Sequence, residues 1–269
     1  MAQCLFCRAQ GNFRTREHIV PESLGNRTDI LEGVICSKCQ NYFGKEIEKA
    51  ALEKTPIAIW RTYLGIQTKK KHLPSVNLDP PVGGAIPALH PASETGIGFS
   101  AHEDGSTSID VYDAIANQRL FRRDKDECEY RIVAMPWHLS IIGRFLGKMG
   151  LEYVAFTDLN YALSVQFDDV RSFVRYGSRK SLWPIYWGKQ GKIEDLKGPI
   201  IWSGLEGRQK IECYSYALAR MAKGEVIFAF LIGIELMVIC LTERSPIPDI
   251  ENCFEGTKLS CIYYPDGSW

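Results

Sequence analysis

The sequence lacks an excess of either charge, since 32 Lys and Arg residues balance 32 Asp and Glu residues. A strongly basic chain would indicate nucleic acid through bulk electrostatics, so here any nucleic-acid contact must depend on a local basic patch. The N-terminal stretch MAQCLFCRAQ has no apolar segment of the secretory type. The longest apolar run, residues 226–241, is short for a membrane helix and predicts a buried β-hairpin. We therefore expect a cytoplasmic protein that does not contact a membrane.

Several common catalytic motifs are missing as well. The sequence contains no H-E-x-x-H, no G-x-x-x-x-G-K, no G-x-S-x-G and no G-x-G-x-x-G. Zinc proteases, phosphate-binding-loop enzymes, serine hydrolases and dinucleotide enzymes therefore have little support as interpretations. Hydrophobic residues make up 45% of the chain and charged residues 24%, which predicts a packed core rather than a disordered chain.

Four of the nine cysteines form two close pairs. The first pair is Cys4 and Cys7, and the second is Cys36 and Cys39, with 28 residues between the pairs. In a chain without an export signal, such pairs are more typical of metal ligands than of disulfides. Two C-x-x-C pairs suit the tetrahedral geometry of a structural zinc site. The sequence therefore predicts one Zn²⁺ ion on these four thiols, and the other five cysteines are interpreted as buried thiols.

Polar residues of another kind lie between the two Cys pairs and directly after the second pair. Glu17 and His18 precede an Ile-Val-Pro string, and Gln40 and Asn41 follow the second Cys pair. This order of carboxylate–His–Ile–x–Pro, Cys pair and early helix Asn resembles the HNH endonuclease family. The resemblance implies a ββα-metal, treble-clef zinc module that hydrolyses DNA phosphodiester bonds. It also implies that His18 is the catalytic base and that Glu17 and Asn41 hold a catalytic Mg²⁺ ion, with Mn²⁺ as the alternative metal.

The chemistry of these residue types agrees with the resemblance. A neutral imidazole can take a proton from water near neutral pH, and carboxylate and amide oxygens are hard ligands that suit Mg²⁺. Neighbours on a strand, such as Glu17 and His18, point to opposite faces of that strand. A count of about 100° per residue puts Phe43 and Ile47 on an apolar helix face and Asn41 on the polar side.

Two features of the motif leave alternatives open. The family's middle Asn has no clear counterpart, because Leu31 occupies about the expected position and Asn26 lies in the loop. The helix ligand is either Gln40, directly after the Cys pair, or Asn41, whose spacing from His18 favours it.

We predict an α+β fold with three parts. An N-terminal zinc module covers residues 1–60, a linker rich in Pro and Gly covers residues 61–96, and a larger mixed domain with an antiparallel sheet covers residues 97–269. Helices are predicted over residues 45–54, 57–65, 136–155 and 167–176. Strands are predicted over residues 106–112, over three segments of 209–242 that break at Gly224 and Gly233, and over residues 258–264.

Basic residues in both parts are candidates for phosphate contacts, namely Arg14, Arg16, Lys45, Lys49, Arg171 and Arg175. The C-terminal part is expected to control recognition or access through a ligand, a partner or a second copy of the chain. The predicted function is a metal-dependent HNH endonuclease acting on DNA, with restriction or anti-phage defence as its expected setting. The alternative is a non-catalytic zinc-stapled module that binds nucleic acid or protein, with a C-terminal sensor domain.

Overall fold

The fold is taken from a computed structural model of the chain. It describes residues 2–63, 66, 95–101, 107–113, 130–131, 136–177, 182–190, 214–248, 250–254 and 257–262. Most of the predicted linker, residues 61–96, lies outside the described residues.

The N-terminal part begins with two short antiparallel strand pairs. Strand β1 pairs with β2 and β3 pairs with β4, in a register that sets Glu17 opposite Leu31 and His18 opposite Ile30. A 3-10 turn, Glu22–Leu24, lies in the loop between β3 and β4. The bounds are β1 Ala2–Gln3, β2 Gln10–Gly11, β3 Arg16–His18 and β4 Ile30–Glu32.

One long helical segment follows, and it begins earlier than predicted. Helix α1 (Ser37–Tyr42) continues through a π-helical turn (Phe43–Glu48) into α2 (Lys49–Lys54). The predicted start at Lys45 is wrong, because the Cys36 thiol already caps the helix by accepting from the Cys39 amide. The predicted end before Pro56 is confirmed, since a residue that precedes proline avoids the helical region, and α3 (Pro56–Tyr63) begins there.

The described residues of the C-terminal part contain three α-helices, and the two predicted ones are confirmed. Two aspartates occupy the first turn of the third helix, and Gly177 caps its C-terminus. The bounds are α4 Pro136–Thr157, α5 Leu159–Ala162 and α6 Asp168–Tyr176.

Where the structure describes this part, its strands form two antiparallel sheets. The larger sheet has the order β12-β8-β11-β10-β9, and a smaller one has the order β5-β6-β7. The predicted hairpin is confirmed as β10 and β11, which turn at Gly233 with a φ of +59°. Mixed helices with antiparallel sheets confirm the α+β class. The bounds are β5 Thr95–Ala101, β6 Thr107–Asp113, β7 Tyr130–Arg131, β8 Ile185–Lys189, β9 Tyr214–Arg220, β10 Val226–Ile232, β11 Glu235–Cys240 and β12 Leu259–Ile262.

Helix α4 lies at the centre of the packing, and its glycines allow close approach. A Cβ at Gly147 would lie 2.8 Å from a methyl carbon of Val174, and one at Gly150 would lie 2.9 Å from the Cβ of Phe228. Buried side chains of the N-terminal part, such as Phe43, belong to the same apolar cluster as those of α4. The division into separate domains stays a prediction, and the two parts share one continuous core. Among the described residues, no helix has the length and apolar character to cross a membrane.

Candidate functional site

The four predicted zinc ligands lie together. The Sγ atoms of Cys4, Cys7, Cys36 and Cys39 are all within 4.8 Å of one another, and the Sγ atoms of Cys7 and Cys36 are 3.6 Å apart. The hydrogen bond with Cys39 lowers the pKa of the Cys4 thiol to about 4, so a thiolate forms readily in this cluster. Four convergent sulfur donors match a closed tetrahedral Zn²⁺ site. The donor set therefore fits structural zinc.

Helix α6 supports this thiol cluster with two arginines. Arg175 donates from Nε to Cys39 Sγ at 3.3 Å and stacks over the Tyr42 ring, 4.2 Å from its centroid. Arg171 is buried and donates to the carbonyl of Leu5, inside the first C-x-x-C pair, at 2.6 Å. It also donates to the Ala162 carbonyl at 2.6 Å and to Asp168. Arg171 and Arg175, two of the six candidates for phosphate contacts, thus face the thiol cluster, and only 3% of the Arg171 side chain is exposed to solvent.

The HNH-like residues border a cavity of about 180 Å³. Strand β3, the loop after it and one side of the α1 segment form its walls. The cavity is lined by Arg16, Glu17, His18, Pro21, Glu22, Ser23, Gln40, Gly44 and Glu48. The structure therefore brings Glu17 and His18 to one cavity, although they are neighbours on a strand.

Glu17 also takes part in a buried charge cluster that the sequence did not indicate. Its Oε1 lies 2.8 Å from Nζ of Lys148 on α4, and Glu48 and Glu152 contact the same nitrogen at 2.8 Å and 2.9 Å. Burial lowers the pKa of Lys148, but the carboxyl groups together overcome this effect and hold it well above its ordinary value. Burial raises the pKa of Glu152 well above its ordinary value. Lys148 is therefore a fixed cation behind the cavity.

His18 is half-buried on the cavity wall. Its Nδ1 atom is buried and has no hydrogen-bond partner among the described residues. An unpaired buried ring nitrogen costs free energy, whichever tautomer the imidazole adopts. His18 is thus placed to exchange a proton with a group bound in the cavity.

The helix presents Gln40 rather than Asn41 to the cavity. Gln40, Gly44 and Glu48 follow one another at intervals of four residues along the cavity wall, while Asn41 is exposed and lies outside the lining. The Gln40 amide donates from Nε2 to the Arg16 carbonyl at 2.6 Å, so its carbonyl oxygen Oε1 is left for another partner. The π-helical turn of this segment carries Gly44 and Glu48.

Asn26 tethers the loop between β3 and β4. It is buried, and its Oδ1 accepts from the amides of Thr28 at 3.0 Å and Asp29 at 3.2 Å. The amide of Ile19, directly after His18, donates to the Asp29 carbonyl at 3.0 Å. Asn26 therefore organises the loop from a displaced position, and Leu31 is a core residue.

The remaining basic candidates are exposed. Arg14, Arg16, Lys45 and Lys49 all face solvent, and Arg16 both lines the cavity and pairs with Glu32 at 3.0 Å. Their positions permit phosphate contacts, which stay a prediction.

Comparison with known proteins agrees with the motif. Residues 4–56 match the family model described as HNH endonuclease, which confirms the resemblance for this segment. No curated protein and no solved structure matches the chain. The matched segment contains the four thiols, His18, Glu17, Gln40 and Glu48, whereas Lys148 lies outside it.

Proposed function

We propose that the chain is a metal-dependent HNH-type endonuclease that hydrolyses DNA phosphodiester bonds. The observation that carries this proposal is the shared cavity of His18, Glu17 and Glu48 within the segment that matches the HNH endonuclease family. A role in restriction or anti-phage defence is part of the proposal and follows from the resemblance alone.

The cavity offers oxygen donors that suit a hard divalent cation. Glu17 and Glu48 supply carboxylate oxygens, and Gln40 supplies an amide oxygen whose nitrogen is already engaged. Asn41 remains the other predicted helix ligand. A Mg²⁺ or Mn²⁺ ion held there would supply positive charge to the phosphate and to the leaving oxygen.

The chain's own residues then have separate tasks. His18 takes the proton of the attacking water as general base, and its position on the cavity wall keeps it beside the proposed cation ligands. The four thiols join the turn after β1 to the start of α1, the helix that carries Gln40 and Asn41. Exposed basic residues of the same segment hold the DNA backbone, namely Arg16 on the cavity wall together with Arg14, Lys45 and Lys49.

The experiment compares cleavage of plasmid DNA by the wild type and by His18→Ala, with Mg²⁺ or Mn²⁺ added. We expect His18→Ala to lower the cleavage rate by about 10²–10⁴-fold, the range for loss of a general base, with unchanged zinc content. The matched control is Asn12→Ala, an exposed position in the same segment that should cleave like the wild type.

Cleavage by His18→Ala at the wild-type rate would refute the assigned base. A folded, zinc-loaded wild type that cleaves with neither metal would refute the nuclease and favour the non-catalytic zinc module.

A further inference from the structure

The charge cluster behind the cavity contains one cation and three carboxyl groups. The side chain of Lys148 is fully buried, and its Nζ lies 2.8 Å from Glu17 Oε1, 2.8 Å from Glu48 Oε1 and 2.9 Å from Glu152 Oε2. Nζ donates a hydrogen bond to Glu152 Oε2, and its contacts with Glu17 and Glu48 are ion pairs. The lysine comes from α4, outside the residues that match the HNH family.

Two glutamates of this cluster also line the cavity. Glu17 and Glu48 contact Lys148 through Oε1 and also line the cavity that contains His18. A carboxylate has two oxygens, so a lysine bound at Oε1 leaves Oε2 for a cation on the cavity side. Glu17 and Glu48 therefore lie between a buried ammonium and the place where the proposed metal ion would bind.

We propose that Lys148 is a positioning residue of the HNH site: it occupies the inner position among Glu17, Glu48 and Glu152 and confines a divalent cation to the cavity side, beside His18. This inference rests on the proposed function. It adds a residue from outside the family-matched segment to the proposed nuclease site.

The inner position would attract a divalent cation if the lysine were absent. Three carboxyl groups converge there on one point, and oxygen donors of this kind are those that hard cations prefer. Because the position is buried, charges interact there more strongly than at the solvent-facing side of the cavity. A cation that moved inward would bind more tightly and would leave the site beside His18.

The test measures two properties of zinc-loaded Lys148→Met that should change in opposite directions. Mn²⁺ binding, followed by electron paramagnetic resonance, should become tighter by at least about tenfold, because one positive charge has been removed from the carboxyl groups. Cleavage at saturating Mn²⁺ should fall by about 10–100-fold, the range for loss of a group that orients metal ligands. A misfolded variant would lose both properties together.

Arg144→Met is the matched control. Arg144 is a second buried cation on α4, one turn before Lys148, but it donates to the Val174 carbonyl and to the Tyr42 hydroxyl rather than to a glutamate. It should leave Mn²⁺ affinity and cleavage within about threefold of the wild type, since it shares no partner with the cluster. If Lys148→Met does not fold, the double variant Lys148→Met/Glu152→Gln replaces it, because this variant has less unpaired negative charge among the carboxyl groups. Tighter Mn²⁺ binding and slower cleavage are again expected.

Unchanged or weaker Mn²⁺ binding in the folded lysine variant would overturn the inference, as would unchanged cleavage together with tighter binding. The Mn²⁺ titration does not depend on activity. A wild type that does not cleave DNA would refute the proposed function alone. If the wild type cleaves DNA but Lys148→Met binds Mn²⁺ no more tightly than the wild type, only the role of Lys148 is refuted.

Discussion

Alanine substitutions at two adjacent positions would identify the helix ligand of the proposed site. The sequence favours Asn41 through its spacing from His18, whereas the structure places Gln40 in the cavity lining and Asn41 in solvent. The Gln40 amide nitrogen is fixed on the Arg16 carbonyl at 2.6 Å, which holds the side chain against β3. We therefore expect Gln40→Ala to lose about 10–100-fold in cleavage or metal affinity, and Asn41→Ala to stay within about threefold of the wild type.

The size of the stability change distinguishes a direct loss of cleavage in Gln40→Ala from a loss caused by unfolding. Gln40→Ala removes one hydrogen bond, worth about 0.5–1.5 kcal/mol net. In a chain of this size that lowers the melting temperature by only a few degrees. The assay is plasmid cleavage across a Mg²⁺ titration, beside a melting curve for each variant. An inactive Asn41→Ala with an active Gln40→Ala would refute the placement of Gln40 and restore the ligand that the sequence favours.

Two further predictions concern the zinc cluster and its support. Purified protein should contain one Zn²⁺ per chain by elemental analysis. Removal of the zinc by a strong chelator should unfold the N-terminal part and lower the melting temperature, because four thiolates join the turn after β1 to the start of α1. A zinc-free protein with an unchanged melting temperature would contradict this. Arg171→Met should lower the free energy of unfolding in a denaturant titration by about 1–3 kcal/mol for each buried carbonyl that loses its donor. The exposed control Arg16→Met should change the free energy of unfolding little. Equal stability of the two variants would contradict the interior position of Arg171.

The zinc cluster and the sheet hairpin could be predicted because their signals are local. The C-x-x-C spacing alone was enough to bring Cys4, Cys7, Cys36 and Cys39 together. An apolar run broken by Gly233 was enough to predict β10 and β11, since the turn needs a positive φ that glycine adopts without strain.

The partner of Glu17 could not be predicted, because it depends on a contact between distant parts of the chain. Nothing near Glu17 in the sequence indicates that α4 will bring Lys148 within 2.8 Å of it. The same limit applies to α6, whose Arg171 and Arg175 are candidates for phosphate contacts in the sequence and lie one helical turn apart. Only the packing of α6 against the zinc cluster shows that the arginines point inward.

The balanced charge of the chain has a structural counterpart in these contacts. The family-matched segment contains two clusters with negative character, and cations from outside the segment contact each of them. One cluster is the four thiols that could bind zinc, and the other is the pair Glu17 and Glu48. Arg175 reaches the thiol of Cys39, and Lys148 holds the glutamates. A buried carboxylate without such a partner would be strongly destabilising. The HNH-like segment therefore depends on α4 and α6 for charge compensation as well as for its apolar core, so a boundary drawn near residue 60 would separate the site from the cations that stabilise it.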